Sequence, residues 1–500
     1  MVATEADKRP PTYGNWRRPD KGGLGNFSTL GTLLLVLGPV VMIVLFLSPL
    51  GWQGALVWIL FIGILLGLLA IRDKHYRTVL HHVGAGAGYA FARMRGRAVA
   101  RTGPLSRVPY GRHTLPGLLA QSELSEHRDS FGLPFGMVHI PATRSFTIIM
   151  ACEPDGMSLV DQEHINQRVA QWGGWLAALG HEPGLEAATV TIETAPDSGS
   201  RLRREVGTNL QEDAPALAVE MFGEVMDTYP EGSASVKGYV ALTYKGDGRR
   251  RRDADAVARE LASRLPSLRA GLSGTGAGVA VPMTAQEICE LVRVAYDPAA
   301  AGILERAAAD GQVPELSWDD CGPVTTAAAY DSLVHDSGRS RTWEMTLPPR
   351  GEVYSDVLYP LLAPISEVTR KRVTMHYRPY EPGRAARVVE SDRDRAAFRV
   401  TSASRASARV KTLQRAAEQT ATEEARGAGL VNVSLLVTAT VPHDEGMADA
   451  AAVVESISAS SRVQLRPVYG AQDSAFAAAL PLGLLLDKHT RVPSDVRGML

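Results

Sequence analysis

The chain has 500 residues, a formal charge of −1, 45% hydrophobic residues and 21% charged residues. That length leaves room for two to four domains with cores of their own, and the balanced charge excludes a chain that works through bulk charge on nucleic acid or on an acidic partner. Three scattered cysteines, Cys152, Cys289 and Cys321, exclude a disulfide framework and fit buried thiols in a reducing compartment.

Residues 1–29 form a basic arm with Lys8, Arg9, Arg17, Arg18 and Lys21. From Gly22 to Ile71 there is no Asp, Glu, Lys or Arg. Crossing a bilayer takes about 20 apolar residues at about 1.5 Å each, and Leu30–Leu47 and Trp52–Ile71 are two such blocks. Ser48, Pro49 and Gly51 between them carry turn chemistry. The pattern predicts a transmembrane helical hairpin over residues 30–71, with Trp52 and Trp58 near an interface. A cleaved signal would have one shorter apolar region, about 7–15 residues. Arg17, Arg18 and Lys21 precede the hairpin and Arg72, Lys74 and Arg77 follow it, while its tip is uncharged. The positive-inside tendency then puts both termini in the cytoplasm.

Residues 72–130 read as a basic juxtamembrane connector, and "HHVGAGAGYAFARMRGRAVARTG" has room for a surface helix. After it, strands alternate with single helices, which predicts an α+β cytoplasmic region with mostly antiparallel sheets. We divide it into an α+β subdomain at 131–300, a second with a long charged helix at 301–486, and a tail at 487–500. Strand patterns lie at 145–151, 186–194, 234–244, 341–348, 370–380, 429–442 and 462–470. Helical patterns lie at 160–180, 211–228, 253–270, 284–296 with Thr284 as N-cap, 352–369, within 384–426, and at 444–460. The two halves share a style without a clean sequence repeat.

Motifs for chemistry are sparse. No G-x-x-x-x-G-K-[ST] phosphate loop, H-E-x-x-H or G-x-S-x-G occurs. "GAGAG" (84–88) and "GLSGTGAG" (271–278) sit in the wrong order relative to strands for dinucleotide loops and read as flexible turns. "HDSGRSR" (335–341) reads as a polar loop. No catalytic, cofactor-binding or metal-ligating residue is assigned. Basic clusters at Arg249–Arg252, at Arg370, Lys371 and Arg372, and along 384–426 leave contact with DNA or anionic lipid open. Trp172 and Trp175 read as core, with a partner surface as the alternative.

"TYGNWRRP…GLGNFSTLG", "QWGGWLAALGHEPGLEAATVTIETAPDSGS", "VRVAYDPAA", "HDSGRSRTWEM" and "RPVYGAQDSAFAAALPLGLLL" together resemble a family of actinobacterial membrane proteins encoded near conjugation genes. More distantly, a two-helix membrane subunit followed by an α+β region resembles a type IV secretion membrane subunit fused to the N-terminal, non-motor domain of the conjugation ATPase. "AFAAALPLG", with Phe476, Leu480 and Pro481, is similar to the segment by which that domain leads into its motor. The chain stops at Leu500 without motor motifs, so the resemblance implies an oligomeric scaffold in the cytoplasmic membrane. It would contact membrane lipid, a separate secretion ATPase and other secretion subunits, with Phe476, Leu480 and Pro481 as further candidates for a partner surface. A type VII secretion membrane subunit is the alternative; a membrane-tethered enzyme or DNA-binding module ranks below both.

Overall fold

The structure is a computed structural model that describes residues 13–14, 29–49, 51–71, 73, 75, 77–104, 106, 109–156, 159–197, 199–211, 213–228, 234–246, 254–309, 311–312, 314–349, 351–402, 407–443 and 446–489. Two uncharged helices come first, α1 (Thr29–Leu47) and α2 (Gly51–Ala70), followed by α3 (Val79–Met94) and a short strand β1 (Val99–Arg101). The first α+β unit holds β2 (Glu123–Arg128), β3 (Pro134–Ile140), β4 (Ser145–Cys152), α4 (Gln162–Leu179), β5 (Leu185–Pro196), α5 (Ser200–Asn209), α6 (Ala216–Thr228), β6 (Ala234–Lys245), α7 (Ala254–Ala270), β7 (Ala280–Pro282) and α8 (Ala285–Tyr296). After α9 (Ala300–Ala309), the second unit holds β8 (Thr325–Ala328), β9 (Leu333–His335), β10 (Gly338–Leu347), α10 (Tyr359–Leu362), β11 (Arg370–Pro379), α11 (Pro382–Thr401), α12 (Ala408–Ala425), β12 (Val431–Pro442), α13 (Met447–Ser460), β13 (Gln464–Pro467) and α14 (Gln472–Ala478).

Among the described residues, all strands join one antiparallel sheet of 13 strands, ordered β1-β8-β9-β10-β12-β11-β5-β6-β4-β3-β2, with β13 beside β10 and β7 beside β4. Within it, β4-α4-β5-β6-α7-β7 and β10-α10-β11-β12-α13-β13 are two copies of one β-α-β-β-α-β arrangement, the ferredoxin-like split, with α5 and α6, and α11 and α12, inserted between the second and third strands. They meet edge to edge at β5 and β11. One rung of register partners runs Val281, Ala151, Tyr239, Thr191, Thr374, Leu436, Glu344, Arg466. Read from either end, it meets the corresponding strands of the two units in the same order. The sheet is therefore a duplicated unit with an internal dyad between Thr191 and Thr374. The copies share little sequence beyond a strand-ending proline and an Ala-Gln-acidic helix start, Pro282 with Ala285-Gln286-Glu287 and Pro467 with Ala471-Gln472-Asp473. A sheet position needs only the right face and size, so the repeat leaves almost no trace in residue identities.

The helices cover one face in two places. Val257, Leu261 and Leu265 of α7, with Trp175 and Leu179 of α4, bury Phe146, Ile148, Val240 and Leu242. Met447, Ala450 and Val454 of α13, with Leu361 of α10, bury Trp343, Val373, Val437 and Val441. The opposite face carries a row of buried hydroxyls in which Thr147 pairs with Thr243 at 3.1 Å and Ser340 pairs with Thr440 at 2.7 Å. These two pairs occupy equivalent places in the two copies. Hydroxyls buried this way must bond one another or the covering chain, because water cannot reach them.

That cover is α14 and the residues after it. Gln472 bonds the backbone of Thr342 in the second unit, Thr374 donates to the Ala479 carbonyl at the dyad, and Gly483 lies on Thr147 and Thr243 of the first. Arg378 then grips both oxygens of Asp487, at 2.5 and 2.6 Å. Phe476 and Leu480 are fully buried and Pro481 is buried. They face the sheet and its helices, so the partner-surface reading of these three residues is corrected.

Most patterned elements fall where their periodicity puts them, and α8 carries a full capping box between Thr284 and Glu287. Three differ. Residues 352–369 hold only the one-turn α10, the segment around it being turns. "GAGAG" lies inside α3 and is not a turn, with open space around Gly84, Gly86 and Gly88. "HDSGRSR" is a strand, a two-residue turn and a strand: Asp336 accepts the backbone N–H groups of Val324 and Thr325, and His335 and Ser340 turn inward.

Candidate functional site

Between α2 and the sheet, a short connector is fastened to one corner of the second unit. Asp73 starts it: its Oδ1 accepts the backbone N–H groups of His75 at 2.8 Å and Arg77 at 2.9 Å, a side-chain-made turn. Its Oδ2 meets His82 Nε2 at 2.9 Å. Burial works against ionisation of Asp73, yet these N–H groups and His82 together hold its carboxyl below the usual range. Thr78 caps α3 by accepting the backbone N–H of His81.

The Arg77 guanidinium reaches Glu344 Oε1 at 2.7 Å, and Arg466 reaches the same oxygen at 3.4 Å. Glu344 and Arg466 are the register partners of β10 and β13 that end the symmetric rung. His75 Nδ1 lies 3.2 Å from Thr346 Oγ1. Burial, followed by the charges of Arg77 and Arg466, keeps the His81 ring below the ordinary histidine range. Along α3, Tyr89 donates to the Ala328 carbonyl at 3.3 Å and packs on Tyr330, which stacks on Tyr469. Gly470, at φ +78, lets its backbone approach Ala85 where a Cβ would lie 3.0 Å from the carbonyl oxygen. This arrangement holds the sheet at a fixed place immediately after the apolar helices.

The apolar helices lie against each other. Trp58 Nε1 donates to the Gly38 carbonyl at 3.0 Å, and a Cβ on Gly38 would sit 2.7 Å from Ile62. Leu33, Val36, Val40, Ile43, Val44 and Phe46 of α1, and Val57, Leu60, Phe61 and Ile64 of α2, nevertheless remain exposed. Gly51–Leu68 is long and apolar enough to cross a membrane, and Thr32–Leu47 is a shorter apolar helix.

Of the basic flank, Arg77 is paired with Glu344, while Arg17, Arg18, Lys21, Arg72 and Lys74 lie outside the described residues, as do Arg249–Arg252. Arg370, Lys371 and Arg372 do not form a basic surface. Glu193, buried on β5, takes Arg372 at 2.6 Å and also Arg370. Burial opposes charge on Glu193, but the two guanidiniums hold its carboxyl at about 2. Lys371 is 1% exposed and donates to the Ala363 carbonyl, and burial depresses its ammonium to about 8. Trp175 is core and Trp172 half-buried, their rings 4.8 Å apart, with Trp172 also edge-on to Tyr377.

Among the described residues no group of three or more His, Cys, Asp or Glu side chains is placed to hold a metal. The three cysteines are free and buried, and burial pushes the Cys152 thiol up to about 11. Asp73, Glu344 and Arg466 are not among the residues singled out by sequence. Asp73 and Thr78 were legible as a turn and a cap, whereas Glu344 and Arg466 meet only through the fold.

Residues 20–81 match the model of a family described as a domain of unknown function, DUF8461. No curated protein matches the chain. The matched region covers α1, α2 and the start of α3, so the N-terminal part of this chain is similar to that family.

Proposed function

We propose that this chain is a membrane-anchored scaffold of a conjugative, type IV-like secretion apparatus, oligomeric in place, that presents its duplicated sheet to a separate ATPase at the cytoplasmic membrane. The observation that carries the reading is the exposed apolar surface of α1 and α2. Two adjoining helices without one charged residue expose rows of Leu, Ile, Val and Phe, far beyond what a soluble monomer leaves to water. Lipid removes that cost. α1 and α2 then form a transmembrane hairpin, the Trp58–Gly38 hydrogen bond satisfying an indole N–H that hydrocarbon could not. The basic residues on both flanks support a cytoplasmic location for both ends.

The scaffold part of the reading draws on the sequence resemblance. No phosphate loop occurs in the sequence, and the reading assigns energy supply to a separate ATPase. Tagged protein extracted from host membranes in a mild detergent should co-purify with a chain carrying a G-x-x-x-x-G-K-[ST] loop. Its repeated absence under conditions that preserve other membrane complexes would sink the assignment. Recovery of subunits of a type VII apparatus instead would transfer the chain to that system.

A further inference from the structure

We infer that α3 lies in the plane of the cytoplasmic membrane surface, its outward stripe among the acyl chains and its arginines on anionic lipid headgroups. The inference rests on the reading of α1 and α2 as a membrane anchor.

α3 has two unlike faces. One is used: His82, Ala85 and Tyr89 meet Asp73, Gly470 and Tyr330. The other has no cover among the described residues. Leu80, Val83, Ala87, Phe91 and Met94 are exposed, and their spacing of three or four residues puts them on one stripe. Met94 is 79% exposed, a poor place in water for a flexible thioether side chain. Arg93, Arg95 and Arg97 are exposed at the end of this stripe, with Arg95 4.1 Å above the Phe91 ring.

Two further observations choose the occupant. Between Asp73 and Glu123 there is no acidic residue, while Lys or Arg stands at 74, 77, 93, 95, 97, 101, 107 and 112. Arg77 and Arg112 are paired with Glu344 and Asp319; the exposed Arg93, Arg95 and Arg97 at the end of the stripe leave a positive group that suits a negative surface. Only eight residues, 71–78, separate α2 from α3, so the stripe starts next to the point where the chain leaves the bilayer. An apolar stripe rimmed by arginine is the pattern of a helix lying in a lipid interface, with the long side chains reaching up to the headgroups. The Asp73 turn and the Arg77–Glu344 pair then fix the sheet against that surface.

The test uses the full chain in vesicles of phosphatidylcholine with phosphatidylglycerol. A nitroxide label is placed on Val83→Cys or Met94→Cys, with Leu60→Cys in α2 and the fully exposed Leu159→Cys as references. The native cysteines are buried and stay in place. Labels at 83 and 94 should collide with oxygen severalfold more, and with a water-soluble nickel chelate severalfold less, than the label at 159. Changing Arg93, Arg95 and Arg97 together to Gln should raise nickel access at 94. Equal water access at 83, 94 and 159, with 60 still in hydrocarbon, would overturn this inference and leave the anchor reading standing. Water access at 60 would remove both. Shielding at 94 from oxygen and nickel alike would assign the stripe to a protein partner, and shielding only on addition of a DNA duplex would assign the arginines to nucleic acid; either result overturns it.

Discussion

Thr191 and Thr374 face each other across the junction of β5 and β11, their hydroxyl oxygens 3.2 Å apart, at the internal dyad of a 13-stranded sheet. The Ala479 carbonyl lies 2.6 Å from Thr374 Oγ1 and can only accept, so the Thr374 proton goes to it. The Thr191 proton then goes to Thr374. One chain of two hydrogen bonds thus ties the first unit, the second unit and the strap that covers both.

The order of that chain gives unequal costs. Thr374→Val strands the Ala479 carbonyl and the Thr191 hydroxyl together, and should lower unfolding free energy by about 1–3 kcal/mol. Thr191→Val leaves Thr374 still donating and should cost about 1 kcal/mol or less. Denaturant unfolding of the detergent-solubilised protein, followed by tryptophan fluorescence, separates them. Equal costs would contradict the assigned direction.

The strap itself hangs on Gly483. It has φ +74, and a Cβ there would lie 1.9 Å from Thr147 Oγ1. Gly483→Ala should therefore cost about 2–4 kcal/mol from backbone strain and overpacking combined. Gly351 has nearly the same backbone angle, φ +77, with open space around it. Gly351→Ala should cost only the strain, about 1–2 kcal/mol, and the same unfolding assay compares the two.

Two buried histidines set an acid limit. His335 gives its Nδ1 proton to the Tyr296 carbonyl at 2.6 Å and accepts from Ser340 at Nε2; His376 meets Thr189. Burial is the main cause holding both near 4, below the ordinary 6.5. The unfolded chain takes up these protons first. The stability they support is complete above about 6.5 and falls as pH drops towards 4, by roughly 1.4 kcal/mol per pH unit for each ring. Replacing both by Asn should lower stability at pH 7 and flatten this decline. An unchanged slope between pH 6.5 and 4 would remove the histidines as its cause.

Lys371 acts in the alkaline range. Its folded value of about 8 lies below the ordinary 10.5 because it is buried. The charged form is penalised in the fold, so stability should rise between pH 8 and 10.5. Lys371→Met removes the penalty and should stabilise by about 1–3 kcal/mol at neutral pH, a gain that shrinks above pH 10 in the same assay.

Local pattern carried much of the secondary structure. Alternation marked β4, β6 and β12, Thr284 and Glu287 marked the start of α8, and the uncharged run marked α1 and α2. The duplication was not legible, because equivalent sheet positions hold different residues: Ile149 and Ala241 stand in one copy where Thr342 and Thr438 pair in the other. Arg370, Lys371 and Arg372 looked like a surface because Glu193, which neutralises two of them, is far away in sequence and comes beside them only when β5 meets β11. Phe476 and Leu480 show the same limit: a segment rich in Ala and Leu reads equally as a docking surface or as the cover of a sheet.

On the proposed function, α1 and α2 anchor the chain with its sheet in the cytoplasm. Gln53 is exposed in the first turn of α2, beside the turn between the two helices, and Leu159 is exposed between β4 and α4. Cysteines placed at either position can be challenged in intact cells with a membrane-impermeant maleimide, which leaves the buried native thiols aside. Label is expected at Gln53→Cys before lysis and at Leu159→Cys only after it. Label at Leu159→Cys in intact cells, or Gln53→Cys reacting only after lysis, would contradict this topology.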